Sequence, residues 1–290
     1  MPTALLQLSA IVYAIGSLIV VLHIMRPSET SAKRVMMCMV SAVIFHALAV
    51  GGRMVELSAF PLADAHDALS VFGFLLLSIS LVVAFRGGVP QVAWLAMPLV
   101  SLMVLVSSSL KSVAEAPESL KSVWLSAHIG MALLGDSAFV VAGITAAVYL
   151  LQERRIRQRK RKKEKGKKSH RRASDGWAAS TGMTQLPALE ALDRVNVWLF
   201  KFGFPLMTFG IVSGMIYGKL TSGELWNWDT RNTVSAAVWV TYAAMLYARL
   251  IIGWRGRKAA WLTVCCVIAI LMTFIGLGIT GTTVHGQEVV

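Results

Sequence analysis

The sequence predicts an all-α, polytopic membrane helical bundle with eight transmembrane helices and both termini on the outer side of the membrane. The chain of 290 residues is 56% hydrophobic and only 15% charged, whereas soluble domains carry roughly 25% charged residues. Its mean hydropathy is +0.65. Apolar runs of roughly 18 residues or more recur along the chain, and each is long enough to cross the hydrocarbon layer as a helix. These features exclude an ordinary soluble enzyme, a disordered chain and a disulfide scaffold.

Eight apolar segments are the predicted spans. The first of them lacks the charged start of a signal peptide, so we expect it to be retained as a span. The spans cover residues 4–25, 34–52, 67–86, 89–109, 125–151, 196–218, 233–253 and 259–281. The predicted organisation is residues 1–151 with helices one to five, a basic cytoplasmic linker at 152–190, and residues 191–290 with helices six to eight.

The distribution of Lys and Arg predicts the orientation. Basic residues concentrate in alternate connections, at 26–34, at Arg86, at 153–172 and at 255–258. Connections rich in Lys and Arg stay in the cytoplasm. This pattern places both termini outside, and we expect the protein in the bacterial inner (cytoplasmic) membrane.

The linker holds most of the net charge of +13, because residues 153–172 contain 13 Lys and Arg residues against two Glu. Its second part is small and polar, which favours partial disorder. We interpret the basic run as a topology anchor that binds anionic lipid. The rest of the chain is nearly neutral, so no nucleic acid is expected as a partner.

Histidine is the scarce polar residue in the apolar segments. His46, in the second span, is interpreted as a hydrogen-bonding core residue, with a ligand role as the alternative. His66 begins the third span beside two acids and is expected to be solvated. His128 begins the fifth span and His285 follows the eighth, so both are predicted at the outer face, where two imidazoles could bind a metal or haem iron.

A tryptophan-rich segment, SGELWNWDTRNT at 222–233, lies on the same predicted side. Interfacial tryptophans commonly form an aromatic belt, but a belt needs scattered rings rather than Trp226, Trp228 and Asp229 in one cluster. Two indoles can hold a flat apolar ligand, and the guanidinium of Arg231 can pair with carboxylates. Together with two imidazoles, these are the groups that a haem requires.

These residues carry a family resemblance. WNWDTRNT resembles the W-x-W-D-P-K-E-T signature of the haem-handling family that includes CcsA, CcmC, CcmF and HemX. The segments HIGMALLGDSAFVVAGITAAVYLLQER from His128 and FPLADAHDALSVFGF from Phe60 are similar to further blocks of that family. The resemblance implies haem as cofactor on the outer face. His128 and His285 would be axial ligands of the iron, and Trp226, Trp228, Asp229 and Arg231 would lie around the ring.

The sequence departs from the family in two places. Thr230, Arg231 and Asn232 replace Pro-Lys-Glu, and Tyr247 stands where the cytochrome c synthetase branch has a histidine. In that branch the histidine is an inner haem ligand, so its replacement places haem export through this chain in question.

Two functions remain open from the resemblance. The first is presentation of haem for cytochrome c assembly, with apocytochrome c and a CcsB-like membrane partner. The alternative is a HemX-like regulatory role in tetrapyrrole synthesis without synthetase activity. A third hypothesis is a transport channel that uses His46 and the acidic residues predicted at the outer face. No Ser-His-Asp or Cys-His arrangement is evident in the sequence, so the chain is at most a component of haem attachment.

Overall fold

The computed structural model describes residues 2–26, 28–113, 115–169 and 188–279. Within these ranges the chain forms eight α-helices, one short 3-10 helix and no β-strand, which confirms the predicted all-α class. The helices are α1 (Pro2–Met25), α2 (Glu29–Leu57), α3 (Ala65–Gly87), α4 (Pro90–Ser109), α5 (Val123–Ser169), α6 (Leu189–Ser222), α7 (Thr230–Leu250) and α8 (Arg257–Ile279), with the 3-10 helix at Glu118–Lys121.

Six of these helices, α1 to α6, are long and apolar enough to cross a membrane. The chain is therefore a multi-pass membrane protein. Helices α7 and α8 contain 21 and 23 residues, and at 1.5 Å per residue they extend about 32 and about 35 Å. That α7 and α8 also cross the membrane, and that both termini lie outside, stay predictions.

The helices form an up-and-down bundle in which neighbours in sequence are mostly neighbours in space. Helix α1 packs against α2 and α4, and α3 packs against α4. Helix α5 packs against α6 and α8, while its contact with α3 joins the two halves. One apolar core includes residues of all eight helices. Large apolar side chains such as Leu18, Leu102 and Phe209 are exposed on the bundle surface, as expected for helices that face lipid.

One end of the bundle, here called the tryptophan end, carries the α2–α3, α4–α5 and α6–α7 connections. Arg53, near the end of α2, donates to the carbonyl oxygen of Val113 in the α4–α5 connection at 2.7 Å. The indole of Trp124, in the first turn of α5, donates to the carbonyl oxygen of Ser213 in α6 at 3.0 Å. These contacts join α2 to the α4–α5 connection, and α5 to α6, at this end of the bundle.

The opposite end, here called the basic end, carries the α1–α2, α3–α4 and α7–α8 connections. His23 lies 2.5 Å from the hydroxyl of Ser31, Nδ1 to Oγ. Arg249, in the last turn of α7, forms an ion pair with Asp193 in α6. The basic residues of the sequence are concentrated here, which agrees with the predicted alternation of charge.

Helix α5 is much longer than the predicted fifth span. It contains 47 residues and extends about 70 Å at 1.5 Å per residue, so its basic part projects well beyond the apolar part. The first portion of the predicted linker is therefore helical to Ser169, because continuing an existing helix requires no new nucleation and Lys, Arg, Gln and Glu favour helix. Residues 170–187 lie outside the described residues.

Candidate functional site

His128 lies on α5 at the tryptophan end, and its imidazole is held against α6. Its Nδ1 atom is 2.6 Å from the carbonyl oxygen of Gly210. A carbonyl oxygen only accepts, so Nδ1 must carry the proton, and in the neutral ring the lone pair lies on Nε2. Histidines that bind metal are commonly oriented in this way, with the second ring nitrogen donating to a carbonyl group.

Helices α5 and α6 approach closely beneath His128 because small residues face each other. A Cβ atom on Gly210 would lie 3.2 Å from the backbone nitrogen of Ala132. One on Gly135 would lie 3.0 Å from the backbone nitrogen of Met207. Small residues at a helix interface allow the backbones to approach. This packing fixes the position of His128 relative to α6.

The tryptophan segment begins where α6 ends. Gly223 stops the helix with φ +80, a left-handed conformation that glycine adopts without a steric penalty. The rings of Trp226 and Trp228 then meet edge to face, with centroids 5.7 Å apart and an interplanar angle of 76°. Trp228 is 76% exposed. These two indoles form a short aromatic surface at the tryptophan end.

The indole nitrogen of Trp226 is buried, and it has no hydrogen-bond partner among the described residues. Buried N–H groups in proteins are nearly always paired. An unpaired one beside an exposed aromatic ring therefore suits a site that a ligand with acceptor atoms completes.

Asp229 has a local structural role that the sequence did not predict. Its carboxylate caps α7 by accepting a hydrogen bond from the backbone N–H of Asn232 at 2.7 Å. The side-chain amide of Asn232 donates to the carbonyl oxygen of Asn227 at 2.8 Å. An aspartate three residues before that N–H is typical of an N-cap, and this spacing could have revealed the role. Asp229 thus shapes the segment that presents the two tryptophans.

The other predicted site residues are only partly described. His285 lies outside the described residues, and for Arg231 the structure describes only the backbone, in the first turn of α7. His128 contacts α6 at Ser213 and Gly210, which lie about 14 and about 18 Å along the helix from its end at Ser222 at 1.5 Å per residue. His128 and the tryptophan segment are thus carried by the same end of the bundle. The predicted grouping of both with His285 stays a prediction.

A cavity of about 300 Å³ lies between α7 and α8, next to the tryptophan segment. It is lined by α7 residues from Thr233 to Thr241 and by Cys266 and Ala269 of α8. Sequence analysis missed this cavity. The small residues in this part of α7 were its only signal, and such residues are equally typical of helix packing.

His46 has the structural role that the sequence favoured. It is fully buried, its Nδ1 atom lies 3.1 Å from the hydroxyl of Tyr13, and its Nε2 atom lies 2.9 Å from the hydroxyl of Ser70. Both ring nitrogens therefore have hydroxyl partners from neighbouring helices, which ties α2 to α1 and α3.

The prediction of a solvated His66 is wrong. The residue is 7% exposed, because the end of α4 covers the start of α3. Its Nδ1 atom lies 2.7 Å from the carbonyl oxygen of Ser107, and the Ser107 hydroxyl donates to the carbonyl oxygen of His66 at 2.8 Å. His66 fastens α3 to α4.

The acids of the tryptophan end also have structural partners. The guanidinium of Arg53 donates to Asp67 at 3.0 Å and to Glu56 at 3.0 Å. The carboxylate of Asp64 accepts from the backbone N–H groups of Asp67 and Val113, each at 2.8 Å. These contacts give the acids at the tryptophan end a structural role between helices and connections, which weakens the hypothesis of a transport path through them.

Tyr247 lies in the last turn of α7, at the basic end, and its side chain is 58% exposed. By contrast, Tyr242 is buried and its hydroxyl donates to the carbonyl oxygen of Gly135 at 2.9 Å. Arg249 is also buried, and it donates to the side-chain oxygen of Asn196 at 2.6 Å. Tyr247 therefore lies on the bundle surface, at the end remote from His128.

The architecture and the site define a class: a multi-pass helical membrane protein with an imidazole and a tryptophan segment at one end of the bundle. A family model described as "Cytochrome C assembly protein" matches residues 4–285. The chain belongs to this family.

Relatives named "Cytochrome c biogenesis protein CcsA" are similar over most of their length. The protein of Guillardia theta is 26% identical over 250 residues, which is 84% of this chain and 82% of the relative. The protein of Parasynechococcus marenigrum (strain WH8102) is 28% identical over 240 residues, 79% of this chain and 78% of the relative.

A solved structure named "Cytochrome c Heme Lyase CcmF" has a similar fold, with a TM-score of 0.63 and 17% sequence identity. The match covers 97% of this chain and 50% of that one. The chain therefore corresponds to about half of the larger protein, and at this identity the likeness shows the fold alone.

Proposed function

We propose that the protein holds haem at the tryptophan end of the bundle and presents it to apocytochrome c during cytochrome c assembly. The observation that carries this proposal is the orientation of His128, whose Nδ1 atom lies 2.6 Å from the carbonyl oxygen of Gly210. That contact leaves the lone pair of the neutral ring on Nε2, the form in which imidazole binds iron. Membership of the cytochrome c assembly family supports the same assignment.

The chemistry of the described residues supports haem as the ligand. His128 would bind the haem iron through Nε2. Trp226 and Trp228 would lie against the porphyrin, and the unpaired indole N–H of Trp226 would donate to a haem carboxylate. From the sequence resemblance, His285 would be a second ligand of the haem iron and Arg231 would pair with a carboxylate. Asp229 would act on the haem only indirectly, by capping α7.

When bound, haem supplies vinyl groups that form thioethers with the cysteines of a CxxCH target, so the reactive groups belong to the cofactor. This chain would bind the haem, orient it and hold its iron. A CcsB-like membrane protein would assist, and the site would face the outer side of a bacterial cytoplasmic membrane. The basic part of α5, on the other side, would bind anionic lipid along its first turns.

The alternative is a HemX-like regulatory role without synthetase activity, and Tyr247 favours it. This residue replaces the histidine of the synthetase branch, and its side chain is 58% exposed on the bundle surface. An inner haem ligand at this position would have to face the bundle interior. On this alternative, the protein binds haem at the tryptophan end but does not receive it through the bundle.

Gene replacement tests the proposal and separates the two roles. In the source organism, His128→Ala should abolish covalent haem in c-type cytochromes, as measured by haem staining of membrane proteins. Tyr247→Phe is the matched control and should leave the staining unchanged. If the c-type cytochromes keep their haem in the His128→Ala strain while tetrapyrrole intermediates change in amount, the regulatory role replaces the proposed one.

A further inference from the structure

We infer that Gly214 is a positioning residue for His128: the missing side chain at Gly214 creates a slot on α6 in which the imidazole lies. The inference about orientation is independent of any ligand. Its consequence for haem ligation rests on the proposed function.

The geometry of the slot is specific to the ring. A Cβ atom on Gly214 would lie 2.5 Å from Cε1 of His128, 3.0 Å from Nδ1 and 3.2 Å from Nε2. The first of these distances is shorter than any ordinary carbon–carbon contact, so an alanine would displace the imidazole or push α6 away. Because interiors pack closely, even one added methyl group forces such a shift.

Displacement of the ring would break the contact that fixes its tautomer. Nδ1 lies 2.6 Å from the carbonyl oxygen of Gly210, one turn before Gly214. The hydroxyl of Ser213 donates to the same oxygen at 2.8 Å and lies 3.3 Å from Nδ1. Without the Gly210 contact, the proton could reside on either ring nitrogen, and Nε2 would no longer be the designated ligand atom.

Gly210 and Gly214 share one face of α6 but have different neighbours. The atoms nearest to a Cβ on Gly210 belong to Ala132 of α5, at 3.2 and 3.3 Å, and two of the three are backbone atoms. This is the close backbone packing usual for glycines four residues apart. The three atoms nearest to a Cβ on Gly214 all belong to the imidazole of His128. Gly210 therefore serves helix packing, whereas Gly214 serves the histidine.

A double-mutant cycle in the full-length, detergent-purified protein tests this distinction without haem. The four proteins are wild type, Gly214→Ala, His128→Ala and the double variant, and the measurement is the thermal unfolding midpoint. Gly214→Ala should lower the midpoint by a few degrees in the wild-type background. In the His128→Ala background the imidazole is absent, so the same substitution should not lower the unfolding midpoint.

Gly130→Ala is the matched control, because a Cβ atom at Gly130, half a turn from His128 on α5, meets nothing within 4 Å. It reports the effect of replacing a helical glycine with alanine alone. If Gly214→Ala lowers the unfolding midpoint equally with and without His128, Gly214 is a helix-packing residue and the inference is overturned. No difference between Gly214→Ala and Gly130→Ala would overturn it as well.

The haem-bound protein gives a second measurement. With added haem, Gly214→Ala should change the absorption and electron paramagnetic resonance spectra, since the axial ligand is reoriented, whereas Gly130→Ala should leave both unchanged. If His128→Ala does not affect these spectra, the proposed function fails. The haem-free cycle still decides the role of Gly214, so the two failures are distinguishable.

Discussion

The Nδ1 atom of His128 lies 2.6 Å from the carbonyl oxygen of Gly210. This relationship separates His128 from His46, whose two ring nitrogens both lie within hydrogen-bond distance of hydroxyl groups in the bundle core. A histidine oriented by a backbone carbonyl offers a defined ligand atom. A histidine between two hydroxyls connects helices. The partner of Nδ1 thus differs between the two imidazoles: it is a backbone carbonyl for His128 and a side-chain hydroxyl for His46.

The buried indole nitrogen of Trp226 leads to a prediction about affinity. If it donates to a haem carboxylate, Trp226→Phe removes a hydrogen bond to a charged group, worth about 1.5–3 kcal/mol. The dissociation constant for haem should then rise by about tenfold or more, as measured by spectroscopic titration. Trp228→Phe is the control, because that ring is 76% exposed and phenylalanine keeps an aromatic face. Equal affinities for Trp226→Phe and wild type would exclude the indole as a donor.

The buried pair of Arg53 and Asp67 predicts a stability effect at the tryptophan end. The two side chains are 10% and 1% exposed, so Arg53→Ala leaves the buried carboxylate of Asp67 without its cationic partner and should cost about 3–5 kcal/mol of unfolding free energy. Lys121→Ala breaks a pair in which Lys121 and Glu118 are 46% and 86% exposed, so water screens the pair and its loss should lower the unfolding free energy far less. Chemical unfolding in detergent measures both. A similar loss of unfolding free energy in the two variants would contradict a structural role for the pair of Arg53 and Asp67.

Removal of the Tyr13 hydroxyl should lower the stability of the protein without changing haem binding. Tyr13→Phe leaves Nδ1 of His46 without its partner at 3.1 Å, which should destabilise the protein by about 1–3 kcal/mol. The haem spectrum should stay as in wild type, because His46 has a structural role. Tyr247→Phe, at a 58% exposed position, should change neither the stability of the protein nor the haem spectrum. Loss of the haem spectrum in Tyr13→Phe would instead make His46 part of a haem site.

The distribution of charge predicts the topology. An alkaline phosphatase fusion at the C-terminus should be active, because this enzyme folds only outside the cytoplasm, and a fusion at about residue 170 should be inactive. The basic residues 153–172 motivate this expectation through their retention on the cytoplasmic side. The reverse pattern of activity would place His128 and the tryptophan segment on the cytoplasmic side, where they could not serve an outer haem site.

Much of the fold could be predicted because each long apolar run of a membrane protein indicates one helix. Each predicted span overlaps one helix, and the ends differ mainly where polar residues extend a helix beyond its apolar part, as in α2 and α6. The basic extension of α5 to Ser169 was not predicted. Its composition resembles that of a disordered linker, and its helicity depends on continuity with a packed helix rather than on its own apolar residues.

The candidate site could be predicted only as a set of residue types. The sequence singled out His128 and the tryptophans from their chemistry and their predicted depth. It could not show that Nδ1 of His128 faces Gly210, since that contact depends on the crossing of α5 and α6. His66 was misjudged for the same reason, because its burial comes from the end of α4, a part of the chain distant in sequence.

The absorption spectrum of the detergent-purified, full-length protein titrated with haem tests the central claim most directly. We predict a spectrum of histidine-ligated haem for the wild type and for Tyr247→Phe. His128→Ala should shift that spectrum and weaken binding by about 10-fold or more, since even the outer partners of a metal ligand contribute about 10–100-fold. An identical spectrum and an identical affinity for wild type and His128→Ala would contradict the account.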